Sequence, residues 1–405
     1  MFKTKSGLSL SFKEYLSFNH YDNFHKKILL GQKNVVPLHP DTKTMTTDEQ
    51  HMARAIQISR FAEGCTMPNP MVGAVIVHDG KIIGEGYHHK AGEPHAEPNA
   101  VRNAEENLMK IYDGDLAKVA ETLKESTLYV TLEPCSHYGK TPPCAKLLVE
   151  KNIRKVVIGT LDCNPLVAGR GVNMLKQAGT EVVTGVMEKE CRWVNRRFFT
   201  FHEKKRPYII LKWAETADGF IDLKRTVKGD GPLRISNAVT KTLNHQMRCH
   251  EGAIMVATNT ALLDDPHLTV TKWSGRNPVR VLLDRSLRVP KTARIFDNAS
   301  KTIVFTEKTI HEGYGGNIEF RTVDFSHDLV TQVFRGLYDS GIQSVIIEGG
   351  AQWLNAVIDS DIWDEAHIET SQTIIYQGIA APHIAKGITE TSTVLGNWVK
   401  VVYNE

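Results

Sequence analysis

From Met45 onward the chain alternates short apolar runs with amphipathic stretches, and that alternation restricts it to a small set of folds. Thr47-Asp48-Glu49 supplies a cap and an acidic first turn for a helix carrying Met52, Ala55, Ile56 and Ile58. Met71–Val77 and Ile82–Tyr87 flank Asp79-Gly80, the two-residue turn of a hairpin. The spacing then predicts a helix over His95–Met109, a buried strand over Leu128–Leu132, a helix over Pro142–Glu150 and a strand over Lys155–Gly159. A helix over Gly171–Ala178, a strand over Glu181–Thr184 and a helix over Glu188–Phe199 complete the series. Such a βαβ order implies a largely parallel sheet covered on its faces by helices.

The basic stretch Glu203–Pro207 interrupts the pattern and reads as a linker. A second α/β series follows, with strands over Tyr208–Lys212, Ala253–Ala257, Val279–Asp284, Thr302–Thr306, Ile318–Val323 and Ser344–Glu348. Its helices are expected near Asn237–His250, His327–Asp339 and Ala351–Ile358. The 405 residues suit two domains, and without an internal repeat the halves should differ. The expected division is an N-terminal extension over 1–45, without an assigned function, a first domain over 46–203 and a second over 204–405.

Composition removes whole classes. The longest apolar run, Met71–Val77, falls far short of the ~18 residues that span a bilayer, so no membrane partner is expected. A net charge of +3 is too weak a bias for a nucleic-acid partner, though it permits a small anionic substrate. Six cysteines are too sparse for a disulfide scaffold, and the first 45 residues have no signal-peptide core, which points to a reducing, cytoplasmic setting.

The strongest chemical signal is Pro94-His95-Ala96-Glu97, followed by Glu133-Pro134-Cys135 and then Cys144. One imidazole and two thiolates suit Zn²⁺, and three protein ligands leave a fourth position for water. Zinc lowers that water's pKa toward ~7. Glu97, two residues beyond His95, is placed to take its proton and pass it to a departing amine. The pattern is that of zinc nucleobase deaminases, H-x-E and then P-C-x-x-C, except that eight residues separate Cys135 from Cys144. The intervening loop brings His137 and Lys140 to the rim of the site.

With these residues in view, the chain from Asp48 onward resembles a family of bifunctional riboflavin-biosynthesis enzymes. In that family a diaminohydroxyphosphoribosylaminopyrimidine deaminase is joined to a 5-amino-6-(5-phosphoribosylamino)uracil reductase. Pro68–Val75, Ala91–Glu97, Glu133–Cys144, Asn164-Pro165 and Ala168–Gly171 carry the resemblance. It implies an α/β protein with a cytidine-deaminase-like N-terminal domain and a dihydrofolate-reductase-like C-terminal domain. His95, Cys135 and Cys144 would hold zinc, Glu97 would shuttle protons, and Asn69, His88, His137, Lys140 and Asn164 would line the substrate pocket. A homo-oligomer, dimer or tetramer, is implied as well.

In the second half no G-x-G-x-x-G follows a strand. Instead Val345–Gly350 sets two glycines between a strand and a helix start, where free N–H groups attract phosphate. Pro207–Ala214, Thr216–Gly219 and Thr258–Val270 match the family's reductase. By that match Ala214, Thr260, Asp264, Gly349, Gly350, Ala351, Gln352, Trp353 and Leu354 face NADPH. Lys212, Asp218, Arg248, Leu268 and Glu348 lie toward the substrate's ribose and phosphate. Two departures stand out: Thr271 occupies a position usually held by arginine, with Lys272 next, and Pro232–Ser236 replaces a Gln-Trp-Ile-Ser-like segment. A zinc deaminase of another nucleobase with a non-catalytic C-terminal half, for binding or dimerisation, is the alternative.

Overall fold

The computed structural model describes residues 45–137, 142–163, 168–225, 231–309 and 312–404. Helix α1 (Thr47–Ser59) opens on a capping box: Thr46 Oγ1 accepts from Glu49 N at 3.2 Å, and the Glu49 carboxylate accepts from Thr46 N at 2.7 Å. The cap is thus Thr46, one residue ahead of the expected Thr47. Strands β1 (Gly73–His78) and β2 (Lys81–Tyr87) form the predicted hairpin, with Asp79 and Gly80 both at positive φ.

Helix α2 (Ala96–Ile111) follows, then α3 (Leu116–Lys124), β3 (Thr127–Leu132), α4 (Cys144–Glu150), β4 (Lys155–Thr160), α5 (Arg170–Gln177) and β5 (Glu181–Thr184). The sheet order is β2-β1-β3-β4-β5. β3, β4 and β5 are parallel, while β1 runs antiparallel to both neighbours, so the expected parallel sheet holds for one half. The strand period of two sends Val75 and Val77 toward α1, and Ala74 and Ile76 toward α2 and α4. Both faces of β1 are therefore apolar, which is why it reads as a continuous run.

The helix expected over Glu188–Phe199 is two helices, α6 (Glu188–Val194) and α7 (Arg196–Lys204), broken at Asn195 with φ −103° and ψ 23°. Nor is Glu203–Pro207 a free tether. Helix α7 runs to Lys204, Lys205 turns the chain at φ 54°, and Arg206 Nη2 meets Asp364 Oδ1 at 2.8 Å.

The second unit begins with β6 (Tyr208–Glu215), β7 (Phe220–Asp222), α8 (Ala238–His250), β8 (Ala253–Ala257), α9 (Thr258–Asp264), β9 (Val279–Leu283), β10 (Thr302–Thr306) and β11 (Ile318–Thr322). It continues with α10 (Leu329–Asp339), β12 (Ser344–Gly349), α11 (Ala351–Asp359), β13 (Glu365–Thr370), β14 (Ile379–Ala380), β15 (Ile388–Val394) and β16 (Asn397–Tyr403). Among the described residues the main sheet has nine strands, ordered β11-β10-β9-β8-β12-β6-β13-β16-β15. It is parallel from β11 to β13 and antiparallel beyond. Helices α10 and α11 cover one face. Leu268 and the 289–296 turn help cover the other. No helix among the described residues is long and apolar enough to cross a membrane.

Candidate active sites

Close packing of α2 on the hairpin builds the first site. Gly84 and Gly86 make that approach possible, since a Cβ on Gly86 would lie 2.2 Å from Ala100 N. The contact fixes the start of α2, where His95 is the N-cap and Glu97 sits in the first turn. Cys135 leaves the end of β3 and Cys144 opens α4, with Ala145 N donating to Cys135 O at 3.1 Å. His95 Nδ1 lies 3.4 Å from Cys144 Sγ and 3.7 Å from Cys135 Sγ, and the three donor atoms fall within 4.8 Å of one another. One nitrogen and two sulfurs at that spacing fit Zn²⁺ with a position left over.

The electrostatics favour a shared proton. The Cys144 thiol donates to Cys135, and with help from His95 this holds the Cys135 thiol down at about 4. The same bond, burial and the nearby Glu97 push Cys144 up. Burial, and secondarily Cys135, raises the Glu97 carboxyl to about 7. Glu97 is 3 % exposed. A carboxyl so poised both takes and gives a proton near neutral pH.

Asn69 and His88 come together beside the zinc ligand. Asn69 Nδ2 lies 3.1 Å from His88 Nε2, His88 Nδ1 lies 3.1 Å from Pro94 O, and the His88 ring stands edge-on to His95 with centroids 5.2 Å apart. The carbonyl partner requires a proton on Nδ1, so Nε2 is the acceptor of the Asn69 amide. Burial lowers the His88 pKa, which keeps the ring neutral. His137 is exposed at the rim. Lys140, Asn164 and residues 1–44 lie outside the described residues.

Two contributors to this site escape sequence reasoning. Glu133, 4 % exposed, accepts backbone N–H groups from Gly171 and Val172 on Oε1 and from Gly169 on Oε2, tying the start of α5 to the turn that leads to Cys135. Asn99 donates to Tyr87 O at 2.8 Å and fixes the loop before His95. Glu133 stands inside the Glu133–Cys144 motif, but the backbone partners of its carboxylate lie 29 to 39 residues away.

The second site lies at the C-terminal end of β12, where open α/β sheets bind ligands. Glu348 Oε2 pairs with Arg248 Nη2 at 2.6 Å, and Arg248 Nη1 reaches Thr269 O at 3.4 Å. Burial opposes ionisation of Glu348, yet Arg248 and Lys212 outweigh it and hold the carboxyl below its usual range. Lys212, Arg248 and Glu348 thus come together as expected. His245, one turn before Arg248 on α8, was not foreseen; its Nδ1 accepts from Thr271 N at 3.2 Å, and Lys272 is among the charges around it. The departure at 271–272 therefore returns a cation to the neighbourhood where arginine is usual.

Thr260 packs on the glycine pair: a Cβ on Gly349 would lie 3.0 Å from its Oγ1. Gly350 caps α11 with no side chain, and Ala351 and exposed Gln352 open its first turn, while Trp353 N donates to Gly350 O at 3.1 Å. Trp353 and Leu354 are turned the other way, into the core beneath α11, because helical spacing carries them to its buried face. Ala214 is half-buried on β6, and Asp264 Oδ1 meets Arg225 Nη2 at 2.6 Å. Leu268, at φ 54°, packs its side chain into the other core, so its backbone is what the site can use. The Asp218 carboxylate accepts from Thr216 Oγ1 at 2.7 Å, Ile375 N at 3.1 Å and Tyr376 N at 2.7 Å, pinning the 371–376 loop.

Comparison with known proteins agrees with both halves. Residues 45–160 match the cytidine and deoxycytidylate deaminase zinc-binding region, and residues 207–375 match the RibD C-terminal domain. The riboflavin biosynthesis protein RibD of Aquifex aeolicus is 36% identical over 336 residues, covering 82% of this chain and 89% of the relative. That of Escherichia coli is 35% identical over 338 residues, covering 78% and 86%. A diaminohydroxyphosphoribosylaminopyrimidine deaminase/5-amino-6-(5-phosphoribosylamino)uracil reductase from Thermotoga maritima superposes with a TM-score of 0.76 at 36% identity, covering 89% of this chain and 99% of that one.

Proposed function

The chain belongs to the RibD family of bifunctional riboflavin-biosynthesis enzymes, and from that premise we propose which of its residues perform each step. The first activity hydrolyses the exocyclic 2-amine of 2,5-diamino-6-ribosylamino-4(3H)-pyrimidinone 5′-phosphate, consuming water and releasing ammonia. The second reduces the ribosyl chain to ribityl at the expense of NADPH. We assign the deaminase to residues 46–203 and the reductase to 204–405.

His95, Cys135 and Cys144 hold the zinc, which when bound supplies Lewis acidity that makes water nucleophilic at neutral pH. Glu97 accepts the proton of the attacking water and returns it to the leaving amine, a task suited to a carboxyl buried beside the metal-binding residues. Neutral His88 would set Asn69 toward the pyrimidine, and the family match assigns substrate binding to His137, Lys140 and Asn164 as well. In the other half NADPH supplies hydride. Thr260, Asp264, Ala214 and the 349–352 turn would hold it, the start of a helix being suited to phosphate. Lys212, Arg248 and Lys272 receive the substrate phosphate, while Glu348 fixes Arg248. All six cysteines are free, which suits a reducing, cytoplasmic compartment. A homo-oligomer is inferred, to be checked by light scattering.

The convergence of His95, Cys135 and Cys144 beside buried Glu97 carries this reading. Glu97→Ala should keep its zinc, lose ~10²–10⁴-fold in ammonia release, and still consume NADPH when given the deaminated intermediate. Unchanged ammonia release would remove Glu97 from its role.

A further inference from the structure

Asn69 reaches the zinc site on a short, proline-bounded segment, 68–71, whose backbone is held from outside. Asn195, 3 % exposed, closes both polar atoms of its amide on Met71: Oδ1 accepts from Met71 N at 2.7 Å and Nδ2 donates to Met71 O at 2.8 Å. Gln343, 5 % exposed and just ahead of β12, donates from Nε2 to Pro68 O at 2.7 Å. Between these grips Asn69 N donates to Thr66 O at 2.8 Å, and the Asn69 side chain meets His88. The grips are themselves anchored. Arg197, two residues past Asn195, pairs through Nε with Glu251 Oε2 at 2.8 Å, and Gln343 O accepts from Tyr208 N at 2.9 Å.

We propose that Asn195 and Gln343 are positioning residues of the deaminase site, which set the backbone of residues 68–71 and through it the place of Asn69 beside His88. The inference rests on the deaminase reading given above. A side-chain amide carries a donor and an acceptor in fixed geometry, so Asn195 engages Met71 as a neighbouring strand would and fixes the direction of its peptide planes. Asn195 sits where the helix breaks, at φ −103° and ψ 23°, and its amide meets Met71 from that break. Gln343 belongs to the reductase half, and the opposite end of its strand carries Glu348 and Gly349. One half of the molecule thereby shapes the substrate pocket of the other.

The test uses the full-length zinc enzyme and the near-isosteric variants Asn195→Leu and Gln343→Met, with Asn195→Asp keeping the acceptor for Met71 N. Ammonia release, zinc content and NADPH consumption on separately supplied deaminated intermediate are measured for each. A misplaced wall costs on the order of 10²-fold, so kcat/KM for deamination should fall ~10–100-fold in Asn195→Leu and Gln343→Met. Zinc content and reductase kcat/KM should stay at wild-type values, and Asn195→Asp, which sets a second acceptor against Met71 O, should lose at least as much as Asn195→Leu. Equal declines of both activities, loss of zinc, or deamination at the wild-type rate in both variants overturns the proposal. A wild-type enzyme that releases no ammonia would instead sink the deaminase reading itself.

Discussion

Glu133 acts on the candidate site through the backbone that its carboxylate gathers. Its carboxylate gathers N–H groups from Gly169, Gly171 and Val172, so a truncated side chain leaves several buried donors without partners. Glu133→Ala should destabilise the protein by about 1–3 kcal/mol, read as a lower melting temperature, while Glu133→Gln should recover part of it. At this scale the clustering of His95, Cys135 and Cys144 is legible, because metal chemistry admits few residue types at few spacings. Asn195 is not, since its meaning depends on Met71, 124 residues away, arriving beside it. Trp353 and Leu354 follow the glycine pair in sequence, and helical geometry turns their side chains into the core.

Between α2 and β2 a single methyl group is decisive. The backbone of β2 passes so close beneath α2 that a Cβ on Gly86 would lie 2.2 Å from Ala100 N and 2.6 Å from Ala96 O. Gly86→Ala must push the helix away, costing about 1–3 kcal/mol and displacing His95 with it. We expect a lower urea midpoint and a higher zinc dissociation constant, whereas Gly80→Ala, in open space at a positive φ, should lower the midpoint and leave zinc affinity alone. Strands buried on both faces announced themselves as continuous apolar runs, and β1, β3, β8 and β10 fall where periodicity put them. The last strands of the sheet, β13, β15 and β16, did not, because β15 alternates threonine, glutamate and serine, and β13 carries Glu365, His367 and Glu369. Those charges are tolerated because each finds a partner: Glu369 accepts from Thr240, Ser236 and Asn397. Helix α3 went unnoticed too, its cap being Asp115, whose Oδ1 accepts from Ala117 N and Lys118 N.

Across the whole molecule the two halves meet through buried charge. Arg196 meets Glu365 and Arg197 meets Glu251, while Trp193 stands against Tyr403 and Phe201 against Tyr338. Burial alone would raise the Glu365 carboxyl, but Arg196, His367 and Arg197 hold it well below the usual glutamate value of 4.5. A depressed carboxyl contributes its full stability above its unfolded value and loses it as pH falls through the folded one. The melting-temperature advantage over Glu365→Gln should therefore be widest near neutrality and narrow as the solution is acidified below about 4.5; an advantage independent of pH would contradict the pairing. No composition shift betrays this arrangement, since a basic stretch such as 203–207 looks the same whether solvated or paired. Severing the peptide between Lys204 and Tyr208 would maroon Arg196 and Arg197 on one fragment and Glu251 and Glu365 on the other. Each piece would then carry ions that water had never been meant to reach, and the fragments should seek each other out rather than drift apart.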